Sequence, residues 1–202
     1  MSTITKGITM EQQKRIETII YGGAFNPPTL AHLAILQACI VYARPISADV
    51  WIMPSGDRVD KPIGVNPARR LEYITAMIAD SETEEVRVRV LTTELERTLA
   101  VETSDTVLEL EESYPDRQFT WVFGADSTET MAEWQNGDWL LENLTMLVVN
   151  RVGHKINPLA KRALALTVPT INVSSTLVRQ RLEADQDVTP FVSPSVLTLL
   201  AV

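Results

Sequence analysis

The sequence predicts an α/β fold of the doubly wound, Rossmann-like kind, in which a parallel sheet of about five to six strands carries helices on both faces. Two observations lead to this prediction. Short apolar runs, typical of buried strands, alternate along the chain with longer segments whose apolar residues recur at helical spacing. Several of the apolar runs end at glycine or proline, residues that interrupt regular structure.

Each predicted strand is a short apolar run bounded by a residue or segment that breaks it. The predicted strands are residues 18–21, 50–53, 86–90, 119–123, 144–149 and 168–173. The first stops at Gly22-Gly23, the second at Pro54 and the fourth at Gly124. The third alternates valine with arginine, which favours a strand with one wetter face.

The predicted helices lie between these strands or after the last of them. They are residues 29–42, 66–78, 104–114, 174–182 and 193–202. The first follows Pro27-Pro28, and the second begins at Asn66-Pro67. Proline is tolerated there because the first N–H groups of a helix have no partner within the helix.

The length of 202 residues suits one domain with a small appendage. We therefore predict an N-terminal extension over residues 1–16 and a single domain over residues 17–202. One cysteine, Cys39, cannot form an internal disulfide, and its apolar neighbours predict a buried thiol. No apolar run approaches the roughly 20 residues of a membrane span, and residues 1–14 lack the apolar core of a signal peptide. The expected location is the cytoplasm, away from membranes.

The formal net charge of −8 argues against nonspecific binding to nucleic acid, which requires basic surface. A local basic pocket for a small anionic substrate is compatible with an acidic chain.

Residues 22–32, Gly-Gly-Ala-Phe-Asn-Pro-Pro-Thr-Leu-Ala-His, join the first strand to the first helix. Gly23 lets the backbone approach a phosphate closely, and the start of the helix offers N–H groups and a positive dipole end. Thr29 and His32 share one face of that helix, so both could reach one phosphate. The alternative is a glycine turn with a helix cap and an incidental histidine.

A second candidate anion site follows the last predicted strand. Ser174, Ser175 and Thr176 open a helix, and Arg179 lies one turn later on the same side. Simple helix capping with a surface arginine is the alternative. In a parallel sheet, loops after the carboxyl ends of the strands meet at one edge, where ligands bind. The loops expected there are residues 22–26, 54–61, 124–126, 150–153 and 174–176.

Together, the two segments resemble the signature of the nucleotidyltransferase superfamily. Its pattern is a glycine pair, Phe-Asn-Pro or Phe-Asp-Pro, then His or Thr, two residues and His, with Ile-Ser-Ser-Thr-x-x-Arg near the C-terminus. The chain is similar above all to the nicotinate or nicotinamide mononucleotide adenylyltransferases over about residues 18–200. Gly124-x-Asp126, Trp134 and Arg151 carry this closer resemblance.

The resemblance implies adenylyl transfer from ATP to a pyridine mononucleotide, giving the dinucleotide and pyrophosphate in NAD biosynthesis. It assigns catalytic contacts to His32, Thr29, Lys61 and Arg179. It assigns ATP binding to Gly22, Gly23, Ala24, Phe25, His32, Gly124, Asp126, Ser174, Ser175, Thr176 and Arg179. It assigns mononucleotide binding to Ala24, Phe25, Thr103, Thr106, Trp134 and Arg151. Glu94 and Arg97 lie in a stretch like the family's Glu-Leu-x-Arg.

Polyphosphate chemistry implies Mg²⁺, and without an evident carboxylate cage we expect phosphates and water to hold most of it. The expected partners are ATP and a pyridine mononucleotide. The sequence leaves open whether the protein forms a homo-oligomer.

Some residues depart from the family pattern, and these departures leave alternatives open. Ala31 replaces a glycine, Asn26 replaces the more frequent aspartate, and Glu102 stands where an aromatic is usual. Residues 58–61, Arg-Val-Asp-Lys, replace the Pro-Pro-His-Lys of many bacterial nicotinate enzymes. Another nucleotidyltransferase, such as a phosphopantetheine adenylyltransferase, and a non-catalytic nucleotide sensor are the alternative functions. The sequence does not choose between nicotinate and nicotinamide mononucleotide.

Overall fold

A parallel sheet forms the centre of the fold in a computed structural model, which describes residues 15–56, 65–97 and 102–201. Within these residues the sheet has six strands in the order β3-β2-β1-β4-β5-β6. The strands are β1 (Ile16–Gly23), β2 (Asp49–Pro54), β3 (Val88–Val90), β4 (Arg117–Gly124), β5 (Thr145–Val149) and β6 (Arg162–Leu166). Every neighbouring pair is parallel.

Seven α-helices surround the sheet in the described part of the chain. They are α1 (Leu30–Ala43), α2 (Pro67–Ala79), α3 (Thr103–Ser113), α4 (Ala125–Thr130), α5 (Gly137–Asn143), α6 (Ser175–Glu183) and α7 (Pro194–Leu200). Short 3₁₀ turns lie at Arg44–Ile46, Met131–Glu133 and Thr189–Phe191. None of the helices in the described ranges is long and apolar enough to cross a membrane.

The two faces of the sheet are both covered, because alternate side chains of a strand point to opposite faces. In β1, Ile19 and Tyr21 belong to one buried cluster, with α1 residues such as Cys39. Ile20, between them, belongs to the other, with Val107 of α3. The helices therefore pack on both faces, as the alternation of strands and helices predicted. Cys39 is fully buried, as expected.

The strand order places a crevice beside the first strand. The chain runs outward from β1 through β2 to β3, and then returns to the other side of β1 with β4. Such a reversal leaves a crevice at the carboxyl ends of the two central strands. Gly23 ends β1 level with Pro54 of β2, and β4 ends at Gly124. The first motif and the Gly-x-Asp segment are therefore neighbours.

The prediction of a last strand over residues 168–173 is wrong. The sixth strand is β6, and residues 168–173 are in neither helix nor strand. Pro169 interrupts this apolar run and has no N–H to donate to a strand ladder. As an edge strand, β6 leaves Leu164 about half exposed, at 52%. The short helices α4 and α5 were also missed, because segments of six and seven residues show little periodicity.

Candidate active site

A cleft of about 860 Å³ opens at the carboxyl ends of the strands. Residues from all five loops expected at this edge contribute to its wall. Those predicted to bind a ligand and found in the wall are Gly22, Gly23, His32, Thr103, Gly124, Asp126, Trp134, Arg151, Ser174 and Ser175. The fold thus brings segments from both ends of the chain to one cavity.

The loop of the first motif folds around a buried phenylalanine. Phe25 is fully buried and has a positive φ of 48°. Its ring meets Tyr21 edge-on at 5.3 Å between ring centroids and lies 5.4 Å from the His32 ring. A Cβ atom on Gly23 would lie 3.1 Å from the Phe25 ring, so glycine allows this close turn. Phe25 therefore packs behind the wall and supports the loop and His32.

The histidine of the first motif is fixed by the residue that precedes its helix. The backbone N–H of Thr29 donates to His32 Nδ1 at 3.1 Å, and the Thr29 hydroxyl lies 2.9 Å from the same atom. Because Nδ1 accepts a hydrogen bond, a neutral His32 ring carries its proton on Nε2. Burial, and secondarily the charge of Arg151, lower the pKa of His32 to about 4. His32 is therefore a neutral hydrogen-bond donor at physiological pH.

We expect His32 of the free protein to stay neutral between about pH 5 and pH 8, since its pKa of about 4 lies below this range. Long-range ¹H–¹⁵N spectra recorded across this range should show an unprotonated Nδ1 and a protonated Nε2. The chain has two histidines, and a His154→Ala variant assigns their signals. Titration of His32 near its ordinary value of 6.5 would contradict this geometry.

The lowered pKa of His32 also makes the stability of the fold depend on pH. Between about pH 6.5 and pH 4 the unfolded chain binds a proton on His32 that the folded chain does not bind. The contribution of His32 to folding is therefore fully present above about pH 6.5 and declines as the pH falls towards 4. Urea unfolding at several pH values measures this decline.

The second motif is hydrogen-bonded directly to the first. Ser174 caps α6 by accepting the N–H of Leu177 at 3.1 Å. The Ser175 hydroxyl donates to the Pro27 carbonyl at 2.8 Å, and Arg179 Nη1 donates to the Asn26 carbonyl at 2.7 Å. The N-terminus of α6 is thereby held against the loop that carries the first motif.

Arg179 also organises the start of its own helix. Its Nη2 donates to the Thr176 hydroxyl at 3.2 Å. Arg179 and Thr176 are not part of the cleft wall, and Ala24, Phe25 and Thr29 likewise lie outside it. These residues adjoin wall residues in the two motifs. Lys61 lies outside the described residues, so its predicted contact stays a prediction.

The Gly-x-Asp segment turns sharply where β4 meets α4. A Cβ atom on Gly124 would lie 2.2 Å from Asp126 Oδ1, so a larger residue would displace that carboxylate. Arg151 Nε lies 3.8 Å from the same oxygen. Both side chains are nearly half exposed, so the ion pair adds little stability but leaves charged groups facing the cleft.

The other end of the cleft lies between α3 and the turn after α4. Trp134 is partly buried and packs edge-on against Phe123, with 6.2 Å between ring centroids. Thr103 is the first residue of α3. Asn136 Nδ2 donates to the Ser104 hydroxyl at 3.1 Å, which ties the two segments together. This end offers an aromatic surface and a helix start to a ligand.

Thr106 faces the protein interior. It is fully buried, donates to Glu94 Oε1 at 2.9 Å and accepts from Arg97 Nη1 at 2.8 Å. Glu94 Oε2 accepts the N–H of Gly56 at 3.1 Å. The Glu94-Leu-x-Arg97 stretch thus links the end of β2 to α3, and Thr106 is not in the cleft wall.

Sequence reasoning missed several residues of the wall. Tyr21, Glu133 and Gln135 all contribute to it. Glu133 and Gln135 flank Trp134, and that adjacency was the available signal. Arg70 lies outside the wall but supports it, since it is buried and donates to the carbonyl of the wall residue Ser55. The sequence did not predict this role. Nothing in the local pattern of α2 distinguishes Arg70 from the neighbouring Arg69.

Comparison with protein families and with related proteins shows the class of enzyme to which the chain belongs. The model of the family described as cytidylyltransferase-like matches residues 20–181. The chain is 31% identical to the probable nicotinate-nucleotide adenylyltransferase of Shouchella clausii, over 90% of this chain and 92% of the relative. It is 30% identical to a protein of the same description from Exiguobacterium sibiricum, over 90% and 94%. The chain therefore belongs to the cytidylyltransferase-like family and, within it, to the nicotinate-nucleotide adenylyltransferases.

Solved structures agree on the fold. The Plasmodium falciparum nicotinic acid mononucleotide adenylyltransferase complexed with NaAD superimposes with a TM-score of 0.79 at 21% identity, covering 92% of this chain and 95% of that one. The same enzyme complexed with APC gives 0.74 at 19% identity, covering 92% and 94%. The predicted Rossmann-like nucleotidyltransferase fold is confirmed.

Proposed function

We propose that this protein transfers the adenylyl group of ATP to a pyridine mononucleotide, nicotinate or nicotinamide mononucleotide, and so makes the dinucleotide of NAD biosynthesis. The direct contact between the two motifs supports this function most strongly. Ser175 and Arg179 donate to the carbonyls of Pro27 and Asn26, which places a helix N-terminus beside the glycine loop and His32. An anionic chain of phosphates fits such a concentration of donors.

In the proposed reaction, a phosphate oxygen of the mononucleotide attacks the α-phosphorus of ATP. A new P–O bond forms between them, and the bond from the α-phosphorus to the oxygen bridging to the β-phosphorus breaks. Pyrophosphate leaves with that oxygen and its electron pair. The attacking phosphate is already an anion at neutral pH, so no protein base is required. Catalysis then depends on positioning and on stabilising the developing charge.

On the ATP side, His32 would donate its Nε2–H to the α-phosphate, with Thr29 holding the ring by its contacts to Nδ1. The helix start at Ser174, Ser175 and Thr176 and the guanidinium of Arg179 would bind the β- and γ-phosphates and the departing pyrophosphate. Lys61 is expected to assist there. The adenosine would lie along Gly124 and Asp126.

On the acceptor side, Trp134 and Thr103 face one end of the cleft. We propose that the pyridine ring stacks against Trp134, while Arg151 attracts the phosphate of the mononucleotide. This arrangement puts the acceptor phosphate between Arg151 and the α-phosphate held by His32. Arg151 already lies close enough to lower the pKa of His32, which fits that arrangement.

Mg²⁺ would accompany the triphosphate and neutralise part of its charge. Within the described residues, no three His, Cys, Asp or Glu side chains are grouped as a metal cluster. Among the described carboxylates of the wall, Glu94 accepts two hydrogen bonds and Asp126 lies beside Arg151, so neither is free to form a metal cage. The donors present therefore fit an ion carried by phosphates and water, with the protein gripping the phosphates.

Pyrophosphate release from ATP with a panel of acceptors tests this function. Nicotinate mononucleotide, nicotinamide mononucleotide and phosphopantetheine are each offered to the purified protein with ATP and Mg²⁺. The proposal predicts release with at least one pyridine mononucleotide and none above background with phosphopantetheine. Release with phosphopantetheine alone would indicate a different adenylyltransferase, and ATP binding without any release would indicate a sensor.

A further inference from the structure

A chain of contacts joins the glycine loop of the first motif to α3 on the opposite side of the cleft. The N–H of Ser55 donates to the Gly23 carbonyl at 2.9 Å. The next residue, Gly56, donates its N–H to Glu94 Oε2 at 3.1 Å. The other oxygen of Glu94, Oε1, accepts the Thr106 hydroxyl at 2.9 Å. Glu94 is therefore hydrogen-bonded to both the end of β2 and α3.

The α3 end of this chain is fixed by the Thr106 hydroxyl. Thr106 is fully buried, and Arg97 Nη1 donates to its oxygen at 2.8 Å. Because a guanidinium only donates, the single proton of the hydroxyl is directed to Glu94. Arg97 Nη2 also donates to Glu109, further along the same helix. Thr106 lies three residues after the wall residue Thr103, so the bonds that hold Thr106 also hold the first turn of α3.

The two ends of the chain lie where the proposed substrates meet. The triphosphate is placed beside the loop that contains Gly23, and the mononucleotide beside Thr103. A displacement of about 1 Å between reacting groups can lower a rate about 10²-fold, so the relative position of the two sides matters for turnover. Glu94 itself lines the cleft, but both of its oxygens accept hydrogen bonds from the protein. It is thus arranged to act through Gly56 and Thr106.

We propose that Glu94 is a positioning residue for adenylyl transfer, which holds the end of β2, next to the glycine loop, in register with the first turn of α3. The inference rests on the proposed function. Loss of Glu94 should slow the transfer more than it weakens the binding of ATP. The reason is that the donors proposed for the triphosphate, in the first motif and at the start of α6, do not depend on Glu94 for their own hydrogen bonds.

The test is kcat per ATP-binding site. Pyrophosphate release at saturating ATP and mononucleotide is divided by the number of ATP sites, which isothermal titration calorimetry counts together with the Kd for ATP. Glu94→Ala should lower this kcat about tenfold and change the Kd for ATP less than about threefold. Glu94→Gln keeps one acceptor oxygen and should recover part of the loss. Glu96→Ala, exposed and outside the wall, is the matched control and should stay within about twofold of the wild type.

Substitutions of Thr106 cut the same chain from its other end. Thr106→Val keeps the shape of the side chain and removes the hydroxyl, so it should lower kcat per ATP site by a similar factor. Thr106→Ser keeps the hydroxyl and should restore most of the activity of the folded protein. Because Glu94 and Thr106 act through one hydrogen bond, the double variant Glu94→Ala/Thr106→Val should be no slower than the slower single variant.

The outcomes separate a positioning role from a purely structural one. If Glu94→Ala and Thr106→Val lower the midpoint of thermal unfolding but keep the wild-type kcat per ATP site, the inference is overturned and adenylyl transfer stands. Losses that multiply in the double variant, or a Kd for ATP that rises as much as kcat falls, would also overturn it. If the wild type releases no pyrophosphate with either pyridine mononucleotide, the proposed function fails, and the inference fails with it.

Discussion

Replacing His32 with alanine should lower kcat about 10²–10³-fold, the range expected when one preorganised donor to a developing charge is removed. His32 is neutral, with its proton placed on Nε2 by the contacts of Thr29 to Nδ1. Alanine removes this donor from the α-phosphate. The loss should therefore appear mainly in kcat, measured as pyrophosphate release at saturating ATP and mononucleotide.

The chain contains its own control for this experiment. His154 is exposed, lies beside Glu129 at 2.7 Å and is not in the cleft wall. His154→Ala should keep the turnover of the wild type within about twofold. Wild-type turnover in His32→Ala, with the fold confirmed by circular dichroism, would exclude His32 as a catalytic contact.

Replacing Arg179 with alanine should lower kcat/KM for ATP about 10²-fold. The substitution removes a proposed charged contact to the phosphates together with the bond to the Asn26 carbonyl that holds α6 against the first motif. Arg179→Lys should restore little, because lysine cannot reproduce the fork by which Arg179 reaches Asn26 and Thr176 together. Steady-state kinetics with ATP varied at saturating mononucleotide gives the measurement.

Gln180, the next residue of α6, is exposed and serves as the matched control. Gln180→Ala should leave kcat/KM for ATP unchanged. A purely structural role for Arg179 would lower the midpoint of thermal unfolding without changing the kinetics of the folded fraction. Normal kcat/KM in Arg179→Ala would therefore remove Arg179 from the proposed phosphate site.

The sequence predicted the centre of the fold well because its signals there are local. The first strand ends at a glycine pair, and the first helix begins after two prolines, so turn chemistry and periodicity agree. The sequence signals for a strand at the edge of the sheet are weaker. β6 is an alanine- and leucine-containing strand with its middle residue half exposed, whereas residues 168–173 match the pattern of a strand but contain Pro169. Residues 162–166 pair with β5, whereas residues 168–173 are not in a strand. The sequence pattern does not show which segment pairs with a neighbouring strand.

The sequence likewise predicted one part of the candidate site and not another. The motifs and the strand order placed Gly23, His32, Gly124 and Ser174 at one edge of the sheet, where the structure finds them. Thr106 was expected beside the ligand, yet it packs inward because Glu94 and Arg97 come from another segment to bind it. Contacts between distant segments decide which polar residue of a helix start faces the cleft.

The most direct test of adenylyl transfer in this cleft follows the α-phosphorus of ATP. ATP labelled at that atom is incubated with the protein, Mg²⁺ and each pyridine mononucleotide, and the products are separated. The label should appear in a dinucleotide, unlabelled pyrophosphate should be released in equal amount, and His32→Ala should slow both together. Label that stays in ATP, or that appears in ADP with release of phosphate, would contradict adenylyl transfer in this cleft.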